Sequence, residues 1–474
     1  MGIALAGCFI GVEAAMAQSG PVLLTPPQKL QPPGQTETPE QAPVPSLPVP
    51  QLPEKLPTST PSGAPIQINT LQTINPDTTG VLSADEGGFG VDMWSGTSMR
   101  MLTSMIGRLP VNIRSDVMRD LMRRLLLSTA TLPDGMAGDG SYIASRVGLL
   151  SGMGDTDSVN HLLDATPGRA SIEELVQFEA DARFLSNDNA RACALAASQI
   201  DNPDSIFWQK AFIFCQALNG EHDKASLGVS LLQETGDEDQ AFYALVETLA
   251  GNPVPVESLA DPTPMHLSMA RVSKTQLPGD VIASNRPGVL RTIATSPNAT
   301  IETRLEAAER AEMTGALSVD NLRQLYTSIS FSEEDLANPL SKAESEGGPL
   351  SRALLYRASL IQTIPVAQAE AAAKALSLGR DGGRYTSTVR VFMPVLKRIP
   401  PSTELICFAP DAIRAFPIGG EKEAATPWFS LLRNTALHHV QSALALNALL
   451  PIARPTGSGD THDWAPGELA HWWT

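Results

Sequence analysis

The residues able to bind a metal or move a proton are seven histidines, four cysteines and a few clustered carboxylates. His438 and His439 are adjacent, so on a helix they point about 100° apart and are poorly placed to share one ion. His462, Asp463 and His471 lie with Asp460 in a polar, glycine-containing tail. A metal site there would need a loop fold that the spacing does not specify. Neither HExxH nor GxSxG occurs, no CxxC is present, and no Ser–His–Asp arrangement is readable from spacing. Carboxylates cluster at Glu333, Glu334 and Asp335 and at Glu173 and Glu174, each set in the first turn of an expected helix, where negative charge complements the helix dipole. A lytic transglycosylase domain would carry a glutamate followed by a serine-rich helix and a Gly-Leu-Met-Gln-type stretch, and no match is found. No residue is nominated for a catalytic, cofactor-binding or metal-binding role, no cofactor is implied, and the chain is expected not to be an enzyme.

Charge narrows the partners. The formal net charge of −17 argues against nucleic acid, whose phosphates call for basic clusters. The one arginine-rich stretch, with Arg114, Arg119, Arg123 and Arg124, is expected to be a solvated helix face rather than a site for an anionic partner. The loop LSADEGGFGVDMWSG, residues 82–96, lacks the GK[ST] of a phosphate loop, and Trp94 within it is expected to plug the end of a core. Cys193, Cys215 and Cys407 are too few and too far apart for a disulfide framework. Cys193 and Cys215 could meet if their helices are neighbours; the alternative is that each is a small buried hydrophobe.

The first residues bear on compartment. GIALAGCFIGVEAAMAQ, residues 2–18, contains the lipobox-like Leu5-Ala6-Gly7-Cys8 and the small-x-small triplet Ala15-Met16-Ala17. The apolar run from Ile3 to Val12 ahead of that triplet fits a secretory signal, with cleavage expected after Ala17 and lipidation of Cys8 as the lesser alternative. The run is too short to span a bilayer, where about 20 apolar residues are needed, and no longer one follows. A soluble periplasmic or secreted chain that is not an integral membrane protein is expected. Residues 18–65 hold fourteen prolines, which remove amide donors and fix φ, so this segment is read as a disordered spacer.

Few aromatic residues, 5%, together with abundant Ala and Leu, favour helices packed through small side chains. The turns Gly154-Asp155, Asn187-Asp188 and Gly220-Glu221 recur every 33 residues, and Gly251-Asn252 follows at 31. Gly or Asn supplies the left-handed residue that ends one helix, and the acidic partner suits the start of the next. A helix–turn–helix period near 34 is the tetratricopeptide-like one, and FWQKAFIFCQALNGEHDKASLGVSLLQ, residues 207–233, resembles that motif. Downstream, TIETRLEAAERAEMTGALSVDNLRQLY reads as two helices joined at Gly315 with Ser318 as N-cap. The fold class is therefore all-α, an α-solenoid of tetratricopeptide-like helical pairs. The expected organisation is a signal peptide at 1–17, a linker at 18–65, and an N-terminal capping region at 66–139 that opens on one short strand, IQINTLQTI. Degenerate repeats follow at 140–250, further helical pairs at 251–455 and a tail at 456–474.

The proline leader, GGFGVDMWSGT, RDLMRRLLLSTA and RLEAAERAEMTGALS together resemble a family of uncharacterised proteobacterial exported proteins, from about residue 66 onward. Members of it carry the label "antifreeze glycopeptide polyprotein", a name that implies Ala-Ala-Thr arrays, which this sequence lacks. The expected function is a periplasmic, non-catalytic scaffold that binds a protein partner in the cell envelope, because stacked helical pairs present an extended groove. The alternative is an envelope enzyme, or enzyme accessory, acting on peptidoglycan or a polysaccharide.

Overall fold

The computed structural model describes residues 75–133, 138–200, 202 and 204–456. The expected signal peptide, linker and strand, together with the tail histidines, lie outside the described residues. Within them the protein is all-helical; the one β feature is an isolated parallel bridge between Leu82 and Ser128.

Two helices, α1 (Met99–Ile106) and α2 (Asp116–Leu127), precede the first pair, α3 (Ser141–Met153) and α4 (Thr156–Ala165). Ser98 and Ser115 cap α1 and α2 by accepting from the amides of Met101 and Met118. The loop before α1 is held by two buried charged residues. The Asp77 carboxylate accepts from the amides of Gly140 (3.1 Å) and Ile143 (2.8 Å), closing the start of α3. The Arg146 guanidinium donates to the carbonyls of Leu126 (2.6 Å), Ser128 (3.0 Å) and Thr79. Burial lowers its pKa to about 10, so it is still charged at neutral pH. Trp94 is buried against Leu102, Ile106 and Tyr142, plugging a small cluster as its place in the loop suggests. On α2, Met122, Leu126 and Leu127 make the buried face, while Val117 is 70% exposed.

Five helices follow: α5 (Glu173–Leu185), α6 (Asn189–Ser198), α7 (Ile206–Leu218), α8 (His222–Glu234) and α9 (Gln240–Leu249). The evenly spaced turns have the backbone their residue types predict, with φ of 78° at Gly154, 62° at Asn187, 78° at Gly220 and 95° at Gly251. Only Gly251 leads away from a helix, into the proline-containing connection before α10 (Pro264–Ser273). Cys193 on α6 and Cys215 on α7 are joined in a disulfide, their Cα atoms 5.6 Å apart, while Cys407 is free and exposed. Ala192 and Ala225, five residues past their turns, are both buried, as close helix approach requires.

The remaining helices are α11 (Pro287–Thr295), α12 (Ile301–Met313), α13 (Val319–Ser328), the short α14 (Glu333–Ala337) and α15 (Pro339–Glu346), then α16 (Gly348–Ile361), α17 (Pro365–Asp381) and α18 (Tyr385–Leu396). The array ends with α19 (Ala409–Ile418), α20 (Thr426–Ala436) and α21 (Val440–Thr456). Gly315 has φ 76° and Ser318 caps α13 through the Asn321 amide, as the sequence implies. One apolar core runs from Val176 to Ala453, built largely of Ala, Leu and Val.

Consecutive helices pack on each other, but the array also folds back. α10 packs on α5 as well as on α9, closing α5, α6, α7, α9 and α10 into a ring, and α11 packs on α3. The second contact is backbone to backbone. A Cβ on Gly288 would stand 3.1 Å from the Gly154 Cα, and one on Gly154 would stand 2.9 Å from the Gly288 Cα. Only glycine at both positions permits that approach.

A polar lock joins α12, α13, α16 and α18. Glu309, which is 2% exposed, accepts from Arg352 Nη2 (2.6 Å), Arg384 Nη1 (3.0 Å) and the Tyr326 hydroxyl (2.6 Å). Glu306 pairs with Arg384, and Glu312 accepts from Arg390 Nε (2.6 Å) and from the Ser387 hydroxyl. Removing one member strands buried charge. Glu309→Ala is expected to lower unfolding free energy by about 3–5 kcal/mol in chemical denaturation. The exposed first-turn control Glu302→Ala should lose less than about 1 kcal/mol.

Candidate functional site

Three polar constellations have the residue types for chemistry. The first is a cleft of about 450 Å³ where α2, the α3–α4 turn, α11 and the α12–α13 turn meet; Arg119, Arg123, Asp155 and Arg291 line it. Each arginine here already serves the protein. Arg119 Nη2 pairs with Asp116 (2.6 Å), and its guanidinium lies against Gly315. Arg123 Nε donates to Asp155 Oδ2 (3.0 Å) and to Ser158 Oγ (3.1 Å). Arg291 donates to the Gly154 carbonyl (3.2 Å) and to Thr156 Oγ1 (2.7 Å). Nearby, Arg114 reaches the Gly383 carbonyl and Arg124 the Gly87 carbonyl. The stretch expected to face solvent is thus a set of tethers that fasten α2 to its surroundings. Asp116 extends the fastening to α18, 3.5 Å from Arg390 Nη1.

The second constellation lies between α7, α9 and α10. Lys210 Nζ stands 2.9 Å from Asp237 Oδ1 and 2.8 Å from Asp239 Oδ2, and His266 Nε2 is 3.1 Å from the same Asp239 oxygen. On the other side of the ring, His266 Nδ1 is 3.0 Å from Thr263 Oγ1, which completes a hydroxyl–imidazole–carboxylate chain. Burial alone would raise the Asp239 pKa, but the hydrogen bonds it accepts from His266, Lys210 and the Phe242 amide hold it well below the usual carboxylate range. A nucleophile and base are only useful if their reacting atoms are available. Here the Thr263 amide donates to Nδ1 (3.2 Å), which makes Nδ1 the acceptor and leaves the ring proton on Nε2. Thr263 Oγ1 in turn accepts from the His266 amide (3.2 Å). These reciprocal bonds form a capping box that starts α10, with histidine where Glu or Gln is usual. The geometry is that of a helix start anchored to α9.

The third is Asp181 on α5. Its Oδ1 is enclosed and has no hydrogen-bond partner among the described residues, and the cation that acts on it is Arg286, just before α11. Arg286 spends Nη2 on Asp261 Oδ1 (2.9 Å) and the Pro262 carbonyl (2.6 Å), and its enclosed Nε is likewise unpartnered. Burial pushes the Asp181 carboxyl up to about 7, against the pull of Arg286.

Sequence reasoning nominated no site residue: it weighed the α2 arginines of the first constellation as a solvated face and missed the other two. The signal for the second was present in Thr263-Pro264-Met265-His266, which has the spacing of a capping box. Asp181 and Arg286 lie far apart in the chain, and no local pattern joins them. Of the carboxylates weighed, Glu173 and Glu174 sit in the first turn of α5 and Glu333, Glu334 and Asp335 in that of α14, where the dipole accounts for them. His438 lies in the turn before α21 and His439 directly precedes the helix. Among the described residues no three His, Cys, Asp or Glu side chains converge as metal ligands, and no helix is long and apolar enough to cross a membrane. Comparison with known proteins finds no matching family model, no significantly similar curated protein and no significantly similar solved structure.

A carboxyl that binds its proton more tightly in the folded than in the unfolded state withdraws stability as pH rises. For Asp181 that window runs from about 4, the unfolded value, up to its raised value. Asp181→Asn should therefore melt higher than the parent above neutral pH, and the difference should vanish towards pH of about 4. Thermal melts followed by circular dichroism across that range check this.

Proposed function

We propose that the protein is an exported, non-catalytic helical-repeat scaffold that holds a protein partner in the cell envelope. The observation that carries this reading is an apolar pair facing solvent on the repeat array. Leu227 and Leu231 stand one turn apart on α8 and are 72% and 58% exposed. Large apolar side chains kept in water at helical spacing suit an interface that a partner helix or segment covers. Export is supported by the bond between Cys193 and Cys215, since such bonds persist in oxidising compartments and are rare in a reducing cytosol. The proline-rich segment at 18–65 would then act as the spacer between the array and whatever lies upstream.

The decisive experiment is in-cell crosslinking and affinity capture of the full chain beside the Leu227→Asp/Leu231→Asp variant. The scaffold reading expects one protein enriched with the parent and lost with the variant, at unchanged helical content. Enrichment or cleavage of cell-wall fragments, unaffected by the variant, would instead favour the enzyme or enzyme accessory. Compartment is tested separately by counting thiols in denaturant on the chain purified from the envelope. With cleavage after Ala17, only Cys407 should react before reduction, and Cys193 and Cys215 should join it afterwards. Three reactive thiols without reductant would refute export into an oxidising compartment.

A further inference from the structure

Two neighbouring cations at the end of α10 have no counter-charge. Arg271 lies half-buried in the last turn of the helix, and the exposed Lys274 follows directly after it. Among the described residues neither side chain makes a hydrogen bond or an ion pair. Burial lowers the Arg271 pKa, and no carboxylate charge acts against that. By contrast, the half-buried Arg352, Arg384 and Arg390 each meet a glutamate. In a chain with 51 acidic and 34 basic residues, two adjacent cations without a carboxylate make a local positive site. The end of α10 does not occupy them either. The Ala270 carbonyl accepts from the Thr275 amide (3.0 Å) and from Asn298 Nδ2 (3.2 Å).

Both cations line a cleft of about 570 Å³ between the end of α10 and the α11–α12 turn, together with Gln276, Asn298 and Thr300. Lys274, Gln276 and Thr300 also line the adjoining cleft, of about 640 Å³, which Pro253, Val254, Pro255 and Val256 share. No Asp or Glu lines either one. The walls are fixed by hydrogen bonds. Asn298 Nδ2 donates to the Thr275 carbonyl (3.1 Å), and the Leu277 amide donates to the Asn298 carbonyl (2.9 Å). The Val254 amide is spent on Thr248 Oγ1 (3.1 Å), and Pro253 and Pro255 have no amide to give. That stretch therefore offers apolar contact rather than strand pairing, and Val254 is 38% exposed. Preformed clefts of this size suit a small ligand. The arginine and lysine fit an anionic group, and the proline–valine stretch fits an apolar body.

We infer that the two clefts form one site for an apolar organic carboxylate, with its charged end on Arg271 and Lys274 and its body along residues 253–256. Such a carboxylate has two sources, the end of an acyl chain and the C-terminus of a peptide with apolar last residues. The site stands apart from Leu227 and Leu231 on α8, so it does not depend on the partner proposed for them.

The test titrates the full chain by calorimetry with octanoate, and with acetyl-trivaline as the free acid and as the amide. The inference expects one equivalent of a carboxylate to bind. Octanoate alone assigns the acyl source, the peptide acid alone the chain end, and both together the shared chemistry. Arg271→Gln, Lys274→Gly and Val254→Asp should each weaken that binding about tenfold. Lys274→Gly separates lost binding from lost fold. Lys274 has φ 57°, where glycine is at ease, so the melting temperature of this variant should not fall. The peptide amide should not bind, nor should the cationic octyltrimethylammonium. The inference is overturned if neither carboxylate binds, or if binding survives both cation substitutions. It is overturned equally if octyltrimethylammonium binds as tightly as octanoate, since that is apolar adsorption without charge recognition.

Discussion

Glu309 is the constraint around which the second half of the molecule is arranged. An ionised carboxylate with 2% exposure is tolerable only if its charge and its lone pairs are met. Arg352 on α16, Arg384 at the residue that opens α18, and Tyr326 on α13 meet them, so these helices can adopt only those positions that bring the partners within reach. The apolar core contributes most of the driving force, but it is built from interchangeable Ala, Leu and Val and would accept several registers. A fixed polar cluster removes that freedom. Burial and the neighbouring Glu309 charge also raise the Tyr326 pKa well above its ordinary value, keeping its hydroxyl a donor.

The first half is ordered differently. Its own small cores surround Arg146 and Trp94, and its attachment to the rest is mostly polar: arginines on α2 reaching across a cleft, and two glycines that let α3 and α11 touch. Surface pairs of this kind hold orientation more than they add stability. The disulfide between α6 and α7 and the capping box at α10 then fix the ring that joins the two halves.

How far these features were legible depended on whether their cause was local. The helix ends at Gly154, Asn187, Gly220 and Gly315 were readable because a left-handed residue followed by a capping or acidic side chain is a short-range signal. Ser318 was readable because an N-cap serine is likewise a short-range signal. The lock was not, because Glu309 and its arginines are 43 and 75 residues apart and nothing near α12 names them. The arginines of α2 looked like a solvated face because their partners are mostly backbone carbonyls and carboxylates supplied by other turns. The disulfide stood between these cases: its cysteines were visible, but their meeting depended on how α6 lies on α7.

The return of α10 onto α5 changes how the array should come apart. In an open row of repeats each unit answers only to its neighbours, so the ends can fray while the middle survives. A closed loop of five helices has no such free end, and loosening any one of them exposes two others. That stretch should therefore exchange its amide hydrogens as a single block, with one opening energy from α5 to α10, rather than as a gradient along the chain.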